Sequence, residues 1–178
     1  MRIWSIGHGA RTLEELLRVL GEAGIRTVAD IRTFPASRRH PHFGRETLTA
    51  ALTEKGIAYE HIPELGGRRR ETKPSPHRAI RVAGLRAYAD HMDTDEFRAG
   101  YDELLGLGRE RPAAFMCAES LWWQCHRRLL SDRLTADGWE VVHLLGPGKA
   151  EPHRLWDVAR VVYGRLVYDL GTLALPDV

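Results

Sequence analysis

The feature that most constrains this chain is an alternation, begun at the second residue, of short apolar runs with segments of helical period. Arg2–Ile6 reads as a strand. Thr12 then caps a helix whose apolar positions, Leu13, Leu16, Leu17 and Leu20, recur at three- and four-residue spacing, and Gly21–Gly24 stops it. Thr27–Ile31 is a second strand, Glu46–Lys55 a second helix closed by Gly56, and Ala58–Ile62 a third strand. Helices follow at Ile80–His91 and Asp95–Leu105, the latter behind Thr94 as N-cap. Ala113–Cys117 is a fourth strand, Ser120–Thr135 a helix ended by Gly138, and Glu140–Leu145 a fifth strand. Beyond Pro152 the pattern predicts one more helix and a short final strand. Apolar strands alternating with helices are buried by laying helices over both faces of a mainly parallel sheet. The expected fold is α/β, one domain over residues 1–178, with 146–178 as an extension of the same domain.

Composition narrows the setting. No window approaches the roughly 18–20 uninterrupted apolar residues of a membrane span, and MRIWSIGHGA lacks the organisation of a signal peptide. Two cysteines are too few for a disulfide framework, so a cytoplasmic protein with no membrane partner is expected. All but three of the 26 basic residues (Lys55, Lys73 and Lys149) are arginine. Arginine suits bidentate contact with phosphate. A GC-rich genome produces the same bias, so the positions of the arginines carry more than their number.

In open α/β sheets ligands bind at the carboxyl ends of the strands, and here those ends are polar throughout. The first strand runs into Gly7-His8-Gly9, the second into Asp30-Ile31-Arg32, the third into Tyr59-Glu60-His61 and the fourth into Cys117-Ala118-Glu119, while the fifth carries His143. One such end is ordinary because loops are wet. Five together mark an active site. Gly7-His8-Gly9 is no dinucleotide fingerprint, because the third glycine would fall on Thr12, and no Walker pattern occurs. No nicotinamide, flavin or nucleoside triphosphate cofactor is indicated.

Two stretches interleave basic residues with aromatics or glycines. "DIRTFPASRRHPHF" (30–43) sets Arg32, Arg38, Arg39, His40 and His42 around Phe34, Pro35 and Phe43, and "GGRRRETK" (66–73) opens on Gly66 and Gly67 inside a long loop, Pro63–His77. Phosphate contact with base stacking requires this mixture, and adjacent glycines let backbone amides approach a phosphate. A polyanionic partner is expected, a nucleic acid or a nucleotide.

"FMCAESLWWQCHRRLL" (115–130) admits four readings. As a metal site, Cys117, Cys125 and His126 have a spacing that matches no common zinc motif. As a thiol site, Cys117 would lie at a strand end near a helix N-terminus, where the dipole lowers a thiol pKa. As a carboxylate site, Glu119 at the start of that helix would face Asp30 in the paired-acid arrangement that cleaves glycosidic bonds. In that arrangement His126 would lie two turns along the same face, and Arg127 would hold a phosphate. As a structural element, the cysteines are buried small hydrophobes and one of Trp122 and Trp123 packs inward.

The motifs "SIGHGART", "ADIRTFPASRR", "YEHIPELGG", "YADHM", "FMCAESLWWQCHRRLL" and "VVHL" together resemble the "domain of unknown function 488" family over about residues 3 to 145. The resemblance implies a Rossmann-like α/β domain. It falls on His8, Asp30, Arg32, Pro35, Ser37, His61, Leu65, Gly66, Gly67, Cys117, Glu119, Cys125, His126 and Arg127. Gly9 stands where the family more often has serine, and Trp122-Trp123 occupies a region where it usually has a proline. Of activity, the resemblance implies the processing of damaged DNA bases by some members.

These readings lead to an enzyme that hydrolyses a base–sugar N-glycosidic bond in nucleic acid. Asp30 and Glu119 supply carboxylates, His8, His61 and His126 position or protonate, and Cys117 stands beside them. Arg32, Ser37, Arg38, Gly66, Gly67 and Arg127 hold phosphate, while Phe34, Trp122 and Trp123 stack on a base. No metal or cofactor is expected. The alternatives are a non-catalytic nucleic-acid-binding module and a cysteine-dependent hydrolase or transferase using Cys117.

Overall fold

The computed structural model describes residues 1–36 and 40–170. Its centre is a six-stranded sheet in the order β3-β2-β4-β1-β5-β6. The strands are β1 (Arg2–Gly7), β2 (Thr27–Asp30), β3 (Ala58–His61), β4 (Ala113–Cys117), β5 (Glu140–Gly146) and β6 (Lys149–Pro152). The first five are parallel, and β6 returns antiparallel on β5. The helices are α1 (Leu13–Glu22), α2 (Arg45–Glu54), α3 (Ala83–His91), α4 (Asp95–Glu110) and α5 (Arg127–Ala136). The fold is a Rossmann-like α/β arrangement.

The pleat explains why helices cover both faces. Along β4, Ala114 and Met116 pack with Leu16, Val19 and Leu20 of α1 and Leu48 and Leu52 of α2. Phe115 and Cys117, one residue out of phase, pack instead with Tyr88 of α3, Leu104 of α4 and Leu129 of α5. All five residues of β4 are buried, as a central strand covered on both sides must be. The expected caps form: Thr12 Oγ1 accepts from Glu15 N at 3.1 Å and Thr94 Oγ1 from Phe97 N at 3.2 Å. Among the described residues no helix is long and apolar enough to cross a membrane.

Two expectations fail. The helix expected from Ser120 begins only at Arg127, after a single 3-10 turn at Trp122–Gln124. The cause is a competing contact, because Arg127 Nη2 donates to the Glu119 and Ser120 carbonyls at 2.6 and 3.3 Å and holds that segment in a loop. The tail also differs. No helix follows Ala136 among the described residues; after β6 the chain forms a separate two-stranded hairpin, β7 (Ala159–Val162) with β8 (Arg165–Tyr168). Positive φ at both Tyr163 and Gly164 suits the two-residue turn between them.

The long loop after β3 starts as a 3-10 turn, Pro63–Leu65, on which α4 lies closely at Gly100. A Cβ there would sit 2.7 Å from Glu64 Cβ and 3.0 Å from Ile62 Cγ2. Gly100→Ala gains about 1 kcal/mol of helix propensity, but overpacking costs about 1–3 kcal/mol. A net loss of about 1 kcal/mol is expected in the denaturant midpoint. A Gly100→Ala variant more stable than the parent would contradict that close packing.

Candidate functional site

The carboxyl ends of β1, β2 and β4 open into a cleft of about 870 Å³, walled by the loops after each strand. Two glycines let those loops meet. A Cβ on Gly7 would fall 1.8 Å from the Glu119 carbonyl oxygen, and one on Gly9, which has φ of +53°, 2.1 Å from Ser120 Oγ. The loop after β4 therefore lies directly on the end of β1.

Asp30, at the end of β2, is wholly buried, and its carboxylate is fully engaged. Oδ1 accepts from the Arg32 backbone N–H at 3.1 Å and from Nε at 2.8 Å; Oδ2 accepts from Arg32 Nη2 at 2.6 Å and the Tyr59 hydroxyl at 2.8 Å. Arg32 Nη2 also donates to the Phe43 carbonyl at 2.9 Å, and His61 Nε2 donates to the Arg32 carbonyl at 2.9 Å. Asp30, Tyr59 and His61 thus act as the frame of Arg32, which lines the cleft. The expected face-to-face pair of working carboxylates is not assembled, because Asp30 is sequestered behind Arg32 while Glu119 is exposed on the cleft wall.

Sulfur occupies the cleft floor. Cys117 Sγ and Cys125 Sγ are 3.5 Å apart, both as free thiols. Cys125 Sγ receives Arg127 Nε at 3.3 Å, and Cys117 Sγ accepts from the Glu119 backbone N–H at 3.3 Å. Arg127 is 1% exposed, and its other donors reach Ser5 Oγ and the carbonyls of Glu119 and Ser120. A buried guanidinium without a counter-charge is expensive. Among the described residues no carboxylate partners it, so the compensation falls on the sulfur. The hydrogen bond from the Cys117 thiol, followed by the Arg127 charge and the Arg127 backbone N–H, pulls Cys125 down to about 6. Burial pushes Cys117 up. The expected lowering of Cys117 by a helix start is thus corrected: α5 begins two residues after Cys125, and the dipole falls on that sulfur.

Three histidines are held neutral. Burial takes His8 down to about 4, with the Arg32 charge adding to the effect. Its Nδ1 donates to the Gly9 carbonyl at 3.0 Å, which leaves Nε2 as the acceptor toward Arg32 Nη1 at 3.3 Å. Burial, then the Arg127 and Arg69 charges, takes His126 to about 3. His126 donates to the Ile31 carbonyl, so its buried Nε2, without a partner among the described residues, is the basic nitrogen. His143, taken to about 2 chiefly by burial, belongs to a separate chain: Nε2 meets His153 Nδ1 at 2.9 Å, and His153 Nε2 meets Asp132 Oδ1 at 2.8 Å.

The remaining expected residues divide. Phe34, 65% exposed, stands at the cleft mouth with the Arg68 guanidinium 5.7 Å from its ring centroid. Trp122 instead stacks on His143 at 3.9 Å and donates Nε1 to Glu151 at 2.5 Å, and Trp123 lies edge-on to it; neither lines the cleft. Arg127 is spent inside the protein and presents nothing to a phosphate. Gly66 and Gly67 are required by packing, since a Cβ on them would meet Thr33 Oγ1 at 2.3 Å and His126 Nδ1 at 2.2 Å. Ser37 and Arg38 lie outside the described residues. Among the described residues no group of three or more His, Cys, Asp or Glu side chains is placed to hold a metal ion.

Sequence reasoning missed Cys125 as the ionised sulfur, Tyr59 as a partner of Asp30, and Arg68 at the mouth. The signal for the first was present in Arg127, a cation two residues from a cysteine at a helix start.

A family model described as "Domain of unknown function DUF488" matches residues 12–134. No curated protein and no solved structure matches the chain.

The buried histidines fix a pH dependence. Each has a folded value below its ordinary 6.5, so the unfolded chain binds more protons between the two values. Stability is complete above about pH 6.5 and falls as pH drops toward 4, by about 1 kcal/mol per pH unit for each histidine that resists protonation. Thermal unfolding at pH 5 is expected several degrees below that at pH 7. A flat profile across that window would show that these imidazoles are not held neutral.

Proposed function

The chain belongs to the Domain of unknown function DUF488 family, and we propose that it is a cysteine-dependent transferase or hydrolase acting on an anionic, nucleotide-class substrate, with the Cys125 thiolate as nucleophile. The observation that carries this reading is the sulfur pair on the cleft floor, 3.5 Å apart, with the buried Arg127 guanidinium on Cys125. A thiolate is a strong nucleophile, and here the Cys117 hydrogen bond, followed by the Arg127 charge, favours the ionised form of Cys125. Among the described residues Arg32 and Arg68 line the cleft against a single carboxylate, Glu119, which favours a negatively charged substrate. Phe34, exposed at the mouth beside Arg68, offers a face on which a base can stack.

In this scheme Cys125 Sγ attacks an electrophilic carbon of the substrate. The sulfur–carbon bond forms as the bond to the leaving group breaks, and the leaving group departs with the electron pair. An acceptor then attacks the same carbon: its bond to that carbon forms as the carbon–sulfur bond breaks, the electron pair returns to Cys125 Sγ, and where the acceptor is water its proton passes to solvent. Arg32, clamped by Asp30, holds the anionic part. Asp30 is a positioning residue here.

A second reading rests on Glu119, which presents an exposed carboxylate to the same cleft. With a nucleic-acid substrate, Glu119 would activate water or stabilise an oxocarbenium ion during N-glycosidic cleavage, with Asp30 holding Arg32. Variants separate the two. Cys125→Ser is expected to lower turnover by at least about a thousandfold, measured by mass spectrometry on normal and damaged oligonucleotides and on free nucleotides. Glu119→Gln is expected to retain activity within about tenfold. The reverse pattern would move the chemistry to Glu119, loss in neither would place it on another group, and a parent protein that binds but never turns over would leave a binding module. Iodoacetamide labelling tests the nucleophile without any substrate: Cys125 should react with a half-maximal rate near pH 6, ahead of Cys117.

A further inference from the structure

We propose that Cys117 and Cys125 are a peroxide-reactive pair, in which Cys125 attacks a small hydroperoxide and Cys117 resolves the product as a reversible intramolecular disulfide. The proposal rests on the reading of Cys125 as the reactive sulfur and adds an oxidant and a second covalent state of the same site.

Geometry carries it. The sulfurs are 3.5 Å apart, so a bond of about 2.05 Å needs a closure of about 1.5 Å. Cys117 is fixed at the end of β4, whereas Cys125 lies in the segment between β4 and α5, whose regular structure is one 3-10 turn. That segment can supply the movement. Both cysteines line the cleft, and 870 Å³ readily admits a molecule of two heavy atoms. The chain has no third cysteine, so the pair is self-contained. Arg127 reaches the Glu119 and Ser120 carbonyls and Ser5 Oγ as well as Cys125, so the loop keeps its anchor while the sulfur moves.

The steps balance. Cys125 Sγ attacks one peroxide oxygen; the sulfur–oxygen bond forms, the oxygen–oxygen bond breaks, and the electron pair leaves with the alkoxide or hydroxide, which is protonated by water. The sulfur is oxidised by two electrons to a sulfenic acid and the peroxide is reduced to the alcohol or water. Cys117 then attacks Cys125 Sγ, the sulfur–sulfur bond forms, and the sulfenic oxygen leaves as water with the Cys117 proton. A dithiol reductant returns both thiols by exchange. The disulfide removes the anion beside Arg127 and consumes the nucleophile, so oxidation halts any chemistry that uses Cys125.

The test is made on the whole, reduced protein with one molar equivalent of hydrogen peroxide, followed by intact mass and a non-reducing peptide map. The expected result is loss of two hydrogens, a peptide linkage joining residues 117 and 125, and full recovery with dithiothreitol. Cys117→Ser should halt at one added oxygen on Cys125, trapped by dimedone. Cys125→Ser should leave Cys117 unmodified over the time that oxidises the parent. Circular dichroism of each variant establishes that it is folded, and the wild-type map stands without the variants. Two intact thiols in the wild-type protein after excess peroxide would overturn the proposal, as would oxidation of Cys117 in Cys125→Ser at the parent rate. Disulfide formation needs no substrate, whereas turnover is measured under reducing conditions. A protein that forms the disulfide but never turns over refutes the function proposed above, and one that turns over without forming it refutes this inference.

Discussion

A buried positive charge organises this molecule. The Arg127 guanidinium lies beneath the cleft and ties the loop after β4 to the first strand and to Cys125. It bonds to the Glu119 and Ser120 carbonyls, to Ser5 on the first strand, and to the sulfur of Cys125. Removal of such a charge from water costs several kcal/mol unless it is compensated. Three of its partners are neutral oxygens, so the compensation falls on sulfur. The loop conformation and the late start of α5 follow from one desolvated cation, which also adds to the lowering of Cys125 that the Cys117 hydrogen bond leads. Replacement of Arg127 by an apolar residue of similar volume would release the loop and weaken the lowering of Cys125 together.

A second arginine works differently. Arg32 is balanced by a carboxylate, and Asp30 is so fully engaged by it and by Tyr59 that it has no acceptor site left for a substrate. What reaches the cleft from this cluster is cationic. The acid nearest to Arg32 in sequence therefore serves to aim it, and the acid left to meet a ligand directly is Glu119.

Much of the fold was legible because it depends on period and on local chemistry. Every residue of β4 is apolar, and both threonine caps follow from a hydroxyl placed three residues ahead of an unsatisfied N–H. The convergence of His8, Arg32, Cys117 and Glu119 on one cleft was legible too, since parallel strands deliver their carboxyl ends to one edge. What could not be read was the use made of each group. Arg127 interrupts a segment of helical period through contacts to carbonyls seven and eight residues back, and no propensity encodes that. Trp122 and Trp123 suggested a wall for a base, but a buried imidazole from β5 takes the face of Trp122. Tyr59 reaches Asp30 across a strand boundary, a contact set by register.

The bond between Arg127 and Ser5 spans 122 residues, and the loop that carries Glu119 closes on Gly7 at the end of the first strand. Contacts so remote in sequence form only when the central sheet is assembled, because the entropy of closing that long a loop is repaid late. Until then the chain carries two ordinary thiols and a solvated arginine. The depressed Cys125 is therefore a property of completed folding, which spares a nascent or partly unfolded chain a reactive sulfur before the cleft exists to shield it.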